Sequence, residues 1–193
     1  MAGSDGSTSR ARMIASTAKL VARQGLAGTG FARVIQESGA PRGSIYHHFP
    51  GGKAELAEEA VRFVGQRTEA TIRSLPAESA ADTMADFVDL WRSVVLRGDG
   101  SGCAVAGSVL DVDSADERSA ALLDVAHDIF SSWSAALAER FASAGLSEEA
   151  AAALATSALA SMEGALILSR AAGGPGPLEV VGDQLAVLAR AAS

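Results

Sequence analysis

Arg42, Gly43, Ser44, Tyr46, His47 and His48 bring three kinds of hydrogen-bonding side chain into one short stretch. Adjacent histidines point to different sides of a helix, so His47 and His48 cannot chelate one ion as an i, i+4 pair would. No nucleophile accompanies them. Cys103 is the only cysteine, which excludes an intrachain disulfide and a thiolate zinc cluster, and no activating base lies near it in the sequence. His127 stands near Asp124 and Asp128; an aspartate-oriented base is conceivable there, but a satisfied or solvated histidine is far commoner. The run Asp111-Val-Asp113-Ser-Ala-Asp116-Glu117 fails the calcium-loop pattern, having Ala at the fifth place and no Gly at the sixth. Ser114 followed by Glu117 reads instead as a capping box. Gly51-Gly52-Lys53 has no GxxxxGK[ST] frame and follows no strand, so it is not a nucleotide phosphate loop. No metal or cofactor is expected. What remains is binding: donors, rings and a Gly that allows close approach suit phosphates and base edges.

These residues need a scaffold, and the stretch Phe31 to Phe49, FARVIQESGAPRGSIYHHF, supplies one. Phe31, Val34, Ile35 and Ser38 fall at i, i+3, i+4 and i+7, one face of a short helix. Gly39 has the freedom a sharp turn needs. Pro41 is suited to restart a second helix, whose inward face is Ile45 and Phe49 and which Pro50 stops. Two short helices joined by a Gly-containing turn form a helix-turn-helix, the second helix entering the major groove of DNA. Thr29 is placed to cap the first of the pair, and such a helix end also binds phosphate.

The charge distribution agrees. Net charge is -7, yet residues 1–53 hold seven Lys/Arg against two Asp/Glu, while residues 54–193 hold nine against twenty-one. A basic head on an acidic body is the footprint of a DNA reader with a separate second function. The Gly/Ser-rich residues 1–8 are expected to be a disordered arm; contact with a minor groove through Arg10 or Arg12 is conceivable, but a simple frayed terminus is commoner. No apolar core follows the first charges, so no signal peptide is expected, and one cysteine fits a reducing cytoplasm. The most apolar run, Ala150 to Leu168, is interrupted by Glu163 and several Ser or Thr, which favours an interior helix over a membrane span.

Thr29, the Gly39 turn, and the run Gly43-Ser44-Ile45-Tyr46-His47-His48-Phe49-Pro50 followed by Lys53 resemble the DNA-binding domain of tetracycline-repressor-type (TetR family) regulators. The resemblance covers roughly residues 10 to 56. GAPRGSIYHHFP and GGKAEL are similar to the LmrA-like branch of multidrug and antibiotic-responsive repressors, whose members also carry a GC-x-V-A segment like that at Cys103. The link before Lys53 carries one Gly more than in most relatives. The resemblance implies phosphate contacts from Thr29, Tyr46, His48 and Lys53. It leaves Arg42, the Gly43 backbone and Ser44 facing the groove, with His47 on the same outward surface. It also implies repression.

The fold class expected is all-α, about nine helices: a disordered arm over 1–8, a helix-turn-helix DNA-binding domain over 9–52, and a helical ligand-binding and dimerisation domain over 53–193. Ala11, Ile14, Ala18, Val21 and Ala22 are the buried stripe of the first helix. Met84, Phe87, Val88, Trp91 and Val95 repeat at helical spacing in a fifth, and Leu122 through Phe141 in a seventh. The eighth helix is apolar on nearly every side and needs two partners. One is its own core; the other is the same helix of a second subunit, approached through Ala158, Ser161 and Ala165. Leu178, Val181, Leu185 and Leu188 form the seam of the last helix. A pocket for a small apolar effector is expected among Phe87, Trp91, Cys103, His127, Phe130, Trp133 and Met162. The partners are therefore a palindromic DNA operator, an effector and a second copy of the chain, with no membrane. The competing reading is an all-helical enzyme or small-molecule carrier whose basic head is incidental.

Overall fold

The structure is a computed structural model describing residues 3–97, 102–111 and 117–192. Among the described residues there are nine helices and no strand: α1 (Gly3–Gln24), α2 (Phe31–Ser38), α3 (Ser44–His48), α4 (Gly52–Arg73), α5 (Ala80–Leu96), α6 (Ala104–Leu110), α7 (Glu117–Ser143), α8 (Glu148–Ala172) and α9 (Gly176–Ala192). The chain forms two compact units, Met1–Gln66 with Ala104–Ile129, and Arg67–Cys103 with Phe130–Ser193. The boundary expected at 52/53 is not where these units divide. The first unit keeps most of α4, all of α6 and the first part of α7. The capping box expected at Ser114 lies outside the described residues.

In the first unit α1, α2, α3 and α4 enclose Met13, Ile14, Leu20, Val34, Ala40, Ile45, Phe49 and Leu56, with Phe31, Ile35 and Phe63 packed on the edge. Of the α1 stripe expected, Ile14, Ala18 and Val21 are buried, but Ala11 is exposed and Ala22 half-buried, and the stripe takes in Met13, Thr17 and Leu20 instead. Larger side chains remove more apolar surface from water than alanine, so they set the helix's rotation. Helix α1 also begins at Gly3, within the stretch expected to be disordered. Extending a helix already nucleated by its packed turns costs far less than starting one. Helix α6 packs against α1, and Gly107 makes this possible, since a Cβ there would stand 3.3 Å from the Val21 carbonyl oxygen.

In the second unit α5 and α8 both pack on α9. Helix α5 is capped by Ser79, whose hydroxyl accepts from the Asp82 N–H at 3.1 Å, and α8 by Ser147, which accepts from Ala150 N–H at 3.3 Å. Gly173, at φ 69°, ends α8 in the left-handed conformation. The buried seam of α9 is Leu178, Gly182, Leu185 and Ala189; Leu188, expected in it, is about half exposed. Gly182 sits so close to α5 that a Cβ would lie 2.7 Å from Val88 Cγ1. Of the small α8 residues expected at a subunit interface, Ala158 and Ala165 are buried within the protomer and Ser161 is half-buried. Its outer face instead shows Ile167 and Leu168, and that of α9 shows Val180, Val187 and Leu188. Helix α8 is long and apolar enough to cross a membrane, but one face of it is part of this packed unit.

Candidate nucleic-acid interface

Helix α2 ends where Gly39 turns into the left-handed region at φ 63°, its N–H donating to Ile35 O at 3.0 Å. The Ser38 hydroxyl accepts from Ala40 N–H at 3.3 Å and steadies the turn. Helix α3 starts later than the proline suggested: Pro41 to Gly43 form a turn, and the Ser44 N–H and hydroxyl both donate to Pro41 O, at 3.0 and 2.7 Å. Ile45 and Phe49 are fully buried and hold the helix to the unit's core. The opposite side is left to solvent. Arg42, Gly43, Tyr46 and His47 are exposed, Ser44 and His48 half-buried. Tyr46 keeps 69% of its surface while its ring meets Phe31 edge-on at 5.5 Å.

Thr29 departs from its expected cap. It is buried, and its hydroxyl donates to Gly25 O at 2.8 Å. Gly30 is the N-cap of α2, with no side-chain hydrogen bond. Thr29 therefore braces the α1–α2 turn. Lys53 is exposed in the first turn of α4, after Gly52 at φ 79° and beside Gly51, whose N–H donates to Glu55 Oε2 at 2.7 Å. The additional glycine of this link is thus accommodated in a conformation other residues avoid.

Two supports had no clear sequence signal. Arg10 lies over the Phe49 ring at 5.3 Å and pairs with Glu59 at 2.8 Å, so it clamps the end of α3 rather than leading a loose arm. Lys19 pairs with Glu37 at 2.8 Å, and this bond holds the Glu37 carboxyl below its usual range.

Residues 13–60 match the model "Bacterial regulatory proteins, tetR family", and residues 80–184 match "Transcriptional regulator LmrA/YxaF-like, C-terminal domain". The chain belongs to the TetR family. Among its relatives are the HTH-type transcriptional regulator Rv0196 of Mycobacterium tuberculosis, 38% identical over 91% of each chain, and the HTH-type transcriptional regulator LmrA of Bacillus subtilis, 31% identical over 88% of this chain and 90% of that one. A TetR regulatory protein of Rhodobacter sphaeroides shares the fold at TM-score 0.81 and 17% identity, covering 92% of this chain and 97% of that one. As a TetR-family member the chain is a helix-turn-helix DNA-binding transcriptional regulator of a non-enzymatic family, which sets the enzyme reading aside.

The residues expected around an effector in this TetR-family chain do not all come together. In the second unit Phe87 meets Trp91 at 6.1 Å, Trp91 meets Trp133 at 6.0 Å, and Phe130 meets Trp133 at 5.5 Å, each edge to face. Met162 is fully buried and Cys103 half-buried in the same unit. His127 does not join them: it is exposed and belongs to the first unit. Its neighbours on the inward stripe of α7 are apolar, and it stands on the other side with Asp124 and Asp128. A cavity of about 700 Å³ does occur in the first unit, against Leu26, Lys53, Asp111 and Leu122, and none of the seven expected residues lines it. Glu163, expected only as an interruption of the apolar run, belongs to the second unit as well. Its side chain is half-buried there beside Cys103, and Oε1 itself is buried with no hydrogen-bond partner. Its only signal was a single acid amid an apolar helix.

Proposed function

We propose that this regulator is a cytoplasmic, ligand-responsive repressor that binds a palindromic operator as a homodimer and leaves it when a small apolar molecule binds the second unit. The observation that carries the reading is the division of α3 and its two flanks, with Ile45 and Phe49 sealed inside and Arg42, Gly43, Tyr46 and His47 outside. An outward row of donors on a helix held from behind is what a groove-reading helix requires. Arg42, His47 and the Gly43 backbone address base edges; Ser44, whose hydroxyl is bonded to Pro41 O, lies at their margin. Tyr46, His48 and Lys53 position the phosphates, and Thr29 acts through the turn it braces.

One such helix reaches few bases, so specific affinity needs two copies on half-sites about 34–36 Å apart. The exposed apolar residues Ile167 and Leu168 on α8, and Val180, Val187 and Leu188 on α9, supply the surface for pairing. Effector binding among the aromatic residues of the second unit then biases the spacing of the two heads. A coupling of about 1–3 kcal/mol weakens the operator complex roughly 5–150-fold.

The test is fluorescence anisotropy with duplexes from the gene's own upstream region and with scrambled duplexes. The reading requires one palindromic fragment to bind well above the scrambled ones, with affinity falling steeply as salt rises. Equal affinity for both would refute it.

A further inference from the structure

We propose that Glu163, with Cys103 beside it, anchors a binding site in the second unit for lipophilic organic cations, molecules with an apolar body and a permanent or protonated positive charge. The inference rests on the effector reading above and names the class of effector.

A carboxylate on the flank of an apolar helix is a liability in the empty protein. Leucine there would fill the same space without removing a charge from water. Among the described residues no cationic side chain acts on Glu163, and burial pushes its carboxyl up to about 7. One oxygen, Oε1, is buried with no donor. The partner it does have is the Cys103 thiol, a weak donor on a half-buried residue and easily displaced. The carboxylate is relieved either by a proton or by a positive charge brought from outside, and near neutral pH the two compete on almost even terms.

The unit around it suits the remainder of such a molecule. Phe87, Trp91, Phe130 and Trp133 form a continuous series of edge-to-face rings, and rings of this kind attract cations and cover apolar groups. The indole N–H of Trp91 is also buried without an acceptor. Arg140 Nε is a third such atom of the unit, but Glu163 Oε1 and Trp91 Nε1 are an acceptor and a donor, two buried polar atoms of opposite kind left unsatisfied. A ligand combining a cationic centre with a hydrogen-bond acceptor would satisfy both.

The probe pair is tetraphenylphosphonium and tetraphenylborate, nearly identical in shape and opposite in charge, titrated calorimetrically into the full-length protein. The phosphonium is expected to bind, the borate at least about tenfold more weakly, and Glu163→Gln to lower phosphonium affinity about tenfold. Equal binding of the two ions, no binding of the phosphonium, or an unchanged affinity in Glu163→Gln overturns the proposal. If that variant does not fold, the comparison of the two ions on the unaltered protein decides. Operator release is read in parallel and separates the two ideas. Phosphonium binding that leaves the operator complex intact upholds the cation site and counts against the effector reading. Release by uncharged apolar compounds alone, with no phosphonium binding, does the reverse.

Discussion

The carboxylate of Asp111, one residue beyond the end of α6, accepts a hydrogen bond from the backbone N–H of Ala27 at 3.1 Å. It thereby ties α6 to the turn that leads from α1 into the helix-turn-helix. Gly25 makes the approach possible: it holds φ 74°, and a Cβ there would stand 2.2 Å from Asp111 Oδ2. Removing the carboxylate in Asp111→Ala is expected to cost about 1 kcal/mol in urea unfolding. Gly25→Ala costs more, since backbone strain of about 1–2 kcal/mol adds to the collision. The double variant should cost less than the sum of the two, because without the carboxylate the new methyl group has nothing to strike.

Arg42 and Ile45 stand three residues apart and should fail in opposite ways. Arg42→Ala is expected to leave stability within about 0.5 kcal/mol of the parent and to weaken operator binding by about 1–3 kcal/mol, most strongly at one base pair. A loss uniform over all operator variants would reassign the arginine to a phosphate. Anisotropy across a panel of single-base substitutions reads the difference.

Ile45→Ala opens a cavity beneath α3 and is expected to cost about 2–5 kcal/mol in unfolding free energy. Phe49→Ala should cost at least as much, since that ring also carries the Arg10 guanidinium. Both variants should lose every DNA affinity together, specific and non-specific alike.

Glu163 sets a pH dependence with a definite sign. Its carboxyl is raised from 4.5 to about 7, so between these values the folded protein holds a proton that the unfolded chain releases. The associated stability is complete below the lower value and is lost as pH rises through the upper one. This loss is about 3 kcal/mol. Glu163→Gln should flatten that fall in denaturant melts taken between about pH 5 and 8.

Leu168 and Ile167 are more than half exposed on the outer face of α8. Replacing Leu168 with Glu is expected to shift the protein toward a single subunit in sedimentation and to cost operator affinity without altering the fold. A sedimentation profile identical to the parent would place the pairing surface elsewhere.

The helix-turn-helix was the most legible part of the sequence, because there each local signal served the same end. Gly39 takes the left-handed turn expected of it, and Ile45 and Phe49 are buried as their spacing required. Alanine-rich helices were harder to orient. Alanine differs little from its neighbours in hydropathy, so in α1 Ile14, Ala18 and Val21 are buried as their spacing required while Ala11 and Ala22 yield to Met13 and Leu20. The same uniformity hid which side of α8 faced inward, and Ala158 and Ala165 proved to serve the protomer's own core. Thr29 looked like a cap because hydroxyls favour that role; the open carbonyl of Gly25 took its proton instead. His127 is exposed and Glu163 Oε1 is buried for one reason. Spacing assigns a residue to a helix, but only the neighbouring helices decide whether it is covered.

In the proposed reading, α3 is anchored by side chains that take no part in recognition, while its outer face and the turn before it read with side chains that the core does not hold. What the head recognises and whether it folds would then be recorded on separate atoms of one short segment. On that reading, exchanging Arg42, Gly43 and His47 as a set, by drift or by design, gives the proposed switch a new genomic address.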